Sequence, residues 1–120
     1  MANTLLLKTF DGGTNYASAN ADTTVYTVPS AKTTIVIGFM VSNITTNTIV
    51  IGVKIQDTAS SSVTVNYMKN IAIPSGSSLE IMSGNKLILN TTDLIKVTSD
   101  TANSFDITLS IVEQDTWVEH

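Results

Sequence analysis

The chain of 120 residues has a formal net charge of −4, and 13% of its residues are charged. This length allows one domain with one hydrophobic core, and such a core folds without a disulfide or a metal. Zinc and dithiol redox sites are excluded because there is no Cys and the only His is His120. Six basic residues against ten acidic ones make no basic stripe for nucleic acid, and 42% hydrophobic residues exclude a disordered chain.

Apolar and polar residues alternate with a period of two along much of the chain, which predicts β-strands. Turn residues such as Asp11-Gly12-Gly13 and Pro29-Ser30-Ala31 separate the alternating stretches. The pattern predicts an all-β fold, a single-domain antiparallel β-sandwich of the jelly-roll or immunoglobulin-like kind with about nine short strands and no long helix. In chain order, strands are expected at residues 4–10, 23–28, 33–43, 49–56, 63–67, 78–82, 86–90, 94–99 and 105–111.

Residues 11–22 are the weakest part of the strand pattern, since they are rich in Gly, Asn, Ala and Ser. We therefore expect residues 1–22 to form an N-terminal strand and a loop or arm packed on the domain, and residues 23–120 to form the sandwich. The N-terminus has neither the basic start nor the long apolar run of a signal peptide. The longest nearly apolar run, residues 35–41, is too short to span a membrane. These features predict synthesis in a host cytoplasm without a signal peptide, and no membrane partner.

The run from Ile35 to Val41 is apolar on both of its faces. One interpretation is a central strand covered on both sides by its own domain, and the other is a strand whose outer side chains are covered by another subunit. Trp117 is either an interface anchor or a lid on one end of the sandwich. The candidate interface residues are Leu6, Phe10, Val36, Met40, Val50 and Trp117. The expected core residues are Ile35, Ile37, Phe39, Ile51, Val53, Val65, Leu87, Leu89, Val97, Ile107 and Leu109.

The sequence contains no recognisable catalytic motif. His120 lies at the last position, and neither a nucleophile elbow nor a phosphate-binding loop is present. A carboxylate pair for glycoside hydrolysis is permitted by composition, but the acidic residues are not clustered in sequence. We expect no enzyme activity, no cofactor and no bound metal. The acidic residues that calcium would require are expected to be solvated turn residues instead; they are Asp57, Asp93, Asp100 and Asp106.

Several segments resemble a pattern found in small virion proteins of tailed bacteriophages. They are Thr24 to Asn43, with its central Val28-Pro29-Ser30-Ala31, then Ile73 to Leu79, Leu87 to Val97, and Ile107 to Glu113. The resemblance implies a β-sandwich that decorates a capsid or builds part of a neck, tail or fibre. Members of this group often carry Gly before the Asp of the late motif, where this chain has Thr92.

The charge of the chain helps to choose among these roles. An acidic chain without Arg suits the outer surface of a virion better than the lumen, where packaged DNA would repel it. The leading expectation is a capsid decoration, or cement, protein on the outer surface of the virion. Its partners would be further copies of itself, in a closed homo-oligomer such as a trimer, and the major capsid protein or other virion proteins.

Two alternatives stay open at this point. Within the same class, the chain could be a neck, tail or fibre subunit. From another class, it could be a carbohydrate-binding or adhesive module, which would require Tyr16, Tyr26, Tyr67 and Trp117 to converge on one surface.

Overall fold

A computed structural model describes residues 3–58, 63–82 and 84–115, within which the chain forms nine strands and one helix of four residues. That helix, α1 (Gly12–Asn15), follows the first strand, and no described helix is long or apolar enough to cross a membrane. The strands are β1 (Asn3–Phe10), β2 (Thr23–Thr27), β3 (Lys32–Asn43), β4 (Ile49–Asp57), β5 (Val63–Ile73), β6 (Ser78–Glu80), β7 (Leu87–Leu89), β8 (Leu94–Ser99) and β9 (Phe105–Asp115).

The strands form two antiparallel sheets. Sheet A has the order β1-β9-β3-β6, with β7 also paired to β3, and sheet B has the order β2-β8-β4-β5. The pairs are nested along the chain: β4 with β5, then β3 with β6 and β7, then β2 with β8, and finally β1 with β9. With β6 and β7 counted as two halves of one strand, this is the jelly-roll order. The predicted all-β sandwich is confirmed, and of its two forms the jelly roll is the one observed.

The hydrophobic core lies between the two sheets. Its largest fully buried side chains, Phe39 and Phe105, both belong to sheet A, and β4 of sheet B contributes Ile51 and Val53. Leu87, expected in the core, is half-buried and packs against it. The expected core residues confirmed as buried are Phe39, Ile51, Val53, Leu89, Val97, Ile107 and Leu109.

A β-bulge in β3 reverses the faces that we expected for the first half of this strand. The pairing of β3 with β9 shifts between Val36 and Gly38, so Ile37 is an extra residue on β3. Val36 is therefore fully buried, whereas Ile35 is only half-buried and Ile37 is exposed. The expectations that Ile35 and Ile37 lie in the core and that Val36 lies on the outer face are wrong, because one extra residue shifts the two-residue alternation.

The expected core position of Val65 is also wrong. Val65 pairs with the buried Ile55, so it points toward the inner face of sheet B, yet it is 53% exposed. It lies on β5, an edge strand whose pairing with β4 shifts twice. The first half of β5 therefore points its apolar side chains inward without being covered by sheet A.

Tyr16 anchors the segment that was expected to be a loop or arm. Its ring is buried and lies 5.0 Å from that of Phe105, and its hydroxyl accepts a hydrogen bond from the Ser99 N–H at 2.9 Å. Next to it, Gly12 lies so close to β9 that a Cβ would come within 2.1 Å of the Phe105 carbonyl oxygen. Side-chain packing and backbone contacts thus hold this segment against the sandwich.

Candidate interaction surfaces

The outer side of sheet A carries a row of apolar side chains that crosses four strands. Leu5 of β1 pairs with Val112 of β9, Val112 pairs with Ile35 of β3, and Ile35 pairs with Ile88 of β7. Directly opposed residues share a face of the sheet, so all four point the same way. Since the next residue along β3, Val36, points into the core, this shared direction is outward.

Leu7 and Ile37 extend this row, and we call the six residues Leu5, Leu7, Ile35, Ile37, Ile88 and Val112 the outer apolar face. Leu5 is 76% exposed, and Leu7 and Ile88 are each 66% exposed. Met40 also points outward and lies farther along β3. Clustered exposed apolar residues of this kind mark contact surfaces, because water solvates them poorly.

The outer side of sheet B is polar by comparison. Its middle carries Lys54 and Lys96, which are opposite each other on β4 and β8. Lys54 forms an ion pair of 3.1 Å with Asp22, and Thr98 donates a hydrogen bond to the same carboxylate. The Thr98 hydrogen bond is the main cause that lowers the pKa of Asp22, and Lys54 adds to it. The two outer sides of the sandwich therefore differ in polarity.

The candidate interface residues do not form one patch. Leu6 and Phe10 are half-buried and pack against the core. Val36 is a core residue, and Trp117 lies outside the described residues. Met40 lies on the outer side of sheet A, whereas Val50 lies on that of sheet B.

Three prominent members of the outer apolar face, Leu5, Leu7 and Ile88, were missed by the sequence reasoning. The signal that could have found them is the apolar triplet. In Leu5-Leu6-Leu7 and in Leu87-Ile88-Leu89 the middle residue and its neighbours must point to opposite faces of a strand. At least one apolar side chain of each triplet therefore has to point away from the core.

The described tyrosines share no exposed surface of the kind that a sugar-binding site requires. Tyr16 and Tyr26 are buried, and only Tyr67, on the edge strand β5, is open to solvent. Trp117 lies outside the described residues.

A buried polar cluster joins the two sheets. The Tyr26 hydroxyl, from sheet B, donates to Oε2 of Glu113 at 2.6 Å and lies 2.8 Å from the Thr34 hydroxyl. Glu113 and Thr34 both belong to sheet A. Burial, and next the hydrogen bond to Glu113, raises the pKa of Tyr26 well above its usual range. The cluster fixes the two sheets relative to each other and points away from solvent, so it does not form an open reaction site.

Three of the four acidic residues considered for calcium accept hydrogen bonds from backbone N–H groups. The expectation that all four are solvated turn residues is wrong for Asp93. Asp93 is buried and accepts hydrogen bonds from the N–H groups of Asn90 and Thr58. Asp100 accepts from the Val50 N–H and Asp106 from the Gly13 N–H. In the part of the chain that the structure describes, no three His, Asp or Glu side chains are grouped as metal ligands.

The fold is shared with proteins that form pili and viral particles. A protein of the disulfide-linked pili of Bacillus endospore appendages matches with a TM-score of 0.55 and 10% identity, over 97% of this chain and 88% of that one. A chain of the T13 particle of infectious bursal disease virus matches with a TM-score of 0.55 and 11% identity, over 95% of this chain and 35% of that one. A chain of the Gx strain of the same virus matches with a TM-score of 0.52 and 9% identity, over 92% of this chain and 31% of that one.

This chain thus spans about a third of each of the two viral chains and most of the pilus protein. No protein-family model matches the sequence, and no curated protein matches it either. At these identities the likeness concerns the fold.

Proposed function

We propose that the chain is a non-enzymatic structural subunit of a tailed-phage virion, and more specifically a capsid decoration protein that binds the outside of the shell. The observation that carries the proposal is the outer apolar face of sheet A, on a sandwich whose other outer side is polar. A protein that lies on a shell needs one side that binds and one side that faces water. The two sheets provide these two sides.

The charge and the cysteine content agree with this role. A net charge of −4 without Arg supports a position away from packaged DNA, on the exterior of the particle. The pilus and viral-particle proteins with which it shares the fold come from large assemblies, which agrees with a structural role. The 120 residues contain no Cys with which a disulfide-linked pilus could be joined, so the virion is the assembly favoured.

A decoration protein would stabilise the shell by mass action. When a subunit bridges neighbouring capsid proteins, its binding free energy is lost if those neighbours separate, so separation becomes less favourable. A stable contact of this kind buries at least about 1,000 Å² in total. The outer apolar face supplies the centre of such a contact, with the major capsid protein as partner.

The test is binding to parent particles assembled without this protein. Ile88→Asp places a charge in the outer apolar face, and we expect it to weaken cosedimentation with the particles by at least about tenfold, because a charge in a desolvated contact is unfavourable. The matched control is Val50→Asp on the outer side of sheet B, which should bind as the unchanged protein does. Met40→Asp tests how far the contact extends along β3, and all three variants should melt as the unchanged protein does.

Two results would contradict the proposal. Equal weakening by Ile88→Asp and Val50→Asp would show that the outer apolar face is not the contact. Binding of the unchanged protein to isolated tails but not to empty shells would replace the decoration role by a neck, tail or fibre role.

A further inference from the structure

Each of the two sheets has two edges, and at three of these four edges the edge strands have features that oppose pairing with another chain. β2 contains a register shift between Thr24 and Tyr26. β5 contains two shifts, with Asn70 at a φ of +57°. β6 and β7 have three residues each. Bulges and very short strands are the devices by which natural sheets protect their edges.

β1 is neither bulged nor very short, and Lys8 is the one protective feature that it carries. Its eight residues pair with β9 without a register shift, from Asn3 opposite Gln114 to Phe10 opposite Ile107. It contains no Pro and no Gly, and Lys8 is its only charged residue. Within the described residues no strand pairs with its outer edge. β1 therefore presents a straight row of N–H and C=O groups together with the exposed side chains of Leu5 and Leu7.

We propose that β1 pairs antiparallel with β1 of a second copy of this chain, about a two-fold axis at Leu6, so that the two A sheets become one continuous sheet. In this register the numbers of opposed residues add up to twelve. Leu5 lies opposite Leu7 of the second copy, and Thr4 lies opposite Lys8 of the second copy. This dimer goes beyond the proposed function and does not depend on binding to a shell.

The side chains of β1 select a second copy as the occupant and also select the register. An added strand must be extended and must bring apolar side chains to Leu5 and Leu7 on the outer side, and β1 itself meets both conditions. In the proposed register, each Leu5 lies opposite a Leu7 of the second copy, and such an apolar pair is favourable. The same register keeps the two Lys8 side chains apart. A register shifted to place Lys8 opposite Lys8 would oppose like charges and would leave the leucines unmatched. The two-fold arrangement is also the commonest symmetry of protein dimers.

The dimer leaves the rest of the outer apolar face accessible. Ile35 and Ile88 lie on β3 and β7, which are separated from the β1 edge by β9. Pairing through β1 therefore places two outer apolar faces side by side on one surface and covers neither Ile35 nor Ile88.

The first experiment measures self-association by sedimentation equilibrium of the full chain and of two double variants. L5K/L7K opposes Lys to Lys twice across the axis, and we expect it to dimerise at least about tenfold more weakly than the unchanged chain. L5K/L7E is the matched control, since the same register then opposes Lys to Glu twice. We expect it to dimerise more strongly than L5K/L7K. A monomeric unchanged chain, or equal dissociation constants for the two double variants, would overturn the proposal.

The second experiment tests the register by cross-linking, which is clean because the chain has no Cys. Leu5→Cys and Leu7→Cys are made as separate proteins and oxidised alone or as a mixture. Opposed residues lie within about 5.5 Å and diagonal ones about 7–8 Å apart, and only the shorter distance fits a disulfide. The mixture should form a cross-linked dimer several times faster than either protein alone. Equal rates would overturn the register, whatever the result of the particle-binding test.

Discussion

At the scale of single residues, the contact between Tyr26 and Glu113 links the two sheets through one short hydrogen bond of 2.6 Å. Both side chains are buried, and the Thr34 hydroxyl completes the cluster. A buried carboxylate is stable only when its oxygen atoms have partners, because it has lost its hydration. Tyr26 therefore stabilises the fold through its hydroxyl as well as through its ring.

We predict that Tyr26→Phe lowers the free energy of unfolding by about 2 kcal/mol at neutral pH, because it leaves the Glu113 carboxylate without this donor. The raised pKa of Tyr26 adds a dependence on pH. Its contribution is fully present below the ordinary Tyr pKa of 10.0 and is lost as the pH rises above that value toward the folded-state pKa. The difference between the two proteins should therefore narrow in alkaline solution. Denaturant unfolding at a series of pH values measures both effects.

Tyr67→Phe is the matched control for this prediction, since Tyr67 is on the edge strand β5 and 36% exposed. It should change the free energy of unfolding by less than about 0.5 kcal/mol. An equal loss in both variants would show that the hydrogen bond to Glu113 is not the cause. A Tyr26→Phe difference that stays constant above pH 10.0 would show that the pKa of Tyr26 is not raised in the folded state.

At the scale of elements, the bulge at Ile37 decides which side chains of β3 form the core. Val36 precedes the bulge and Phe39 follows it, and both point inward because Ile37 is an extra residue between them. Removal of that residue would leave every other side chain of β3 on its present face. Removal of a residue outside the bulge would turn one half of the strand over.

We predict that a variant lacking Ile37 still folds, because β3 and β9 can then pair regularly. We expect its melting temperature to fall by only a few degrees. The matched control lacks Met40, which is also exposed and on the same strand. This control should fail to fold, since either Phe39 or Val41 would have to point into solvent. Circular dichroism during heating measures both. If the variant without Ile37 unfolds as readily as the control, the bulge has been placed wrongly.

The strands themselves were predictable, whereas the bulges were not. Alternation and turn residues located nine strands, and the described residues form nine. Thr92, which precedes Asp93, lies in the left-handed region at a φ of +65°, the region that Gly adopts most readily. In the run from Ile35 to Val41 the odd-numbered and the even-numbered positions are both apolar. The sequence of this run therefore does not indicate which of its side chains face the core. A bulge in such a run depends on the pairing with β9, which is distant in sequence.

At the scale of the whole molecule, the body measures 55 × 28 × 24 Å, and the exposure of Val65 indicates that sheet A does not cover the whole inner side of sheet B. Inward-pointing residues are buried where the sheets overlap, as at Phe39, and exposed where they do not, as at Val65. The sequence could not distinguish these two residues, because each lies in an alternating or apolar strand. Likewise it indicated that an apolar contact surface exists but not that Leu5, Leu7 and Ile88 form it.

We predict that Phe39→Ala costs about 3–5 kcal/mol in the free energy of unfolding, because it leaves a cavity between the sheets. Val65→Ala removes an apolar side chain that is 53% exposed, so it should cost less than about 1 kcal/mol. Denaturant titration of both variants measures the difference. Similar losses would mean that the first half of β5 is covered in solution.

The nested pairing of the strands also sets the order in which a growing chain can complete its sheets. All four strands of sheet B have been synthesised once the chain reaches Ser99. Sheet A is incomplete at that point, because β9 lies between β1 and β3. A nascent chain that ends before Phe105 has therefore no scaffold that joins its first and third strands. Val112 at the centre of the outer apolar face belongs to β9, so a truncated translation product lacks this face as well. Contacts so distant in sequence also make folding slow, on the scale of milliseconds to seconds.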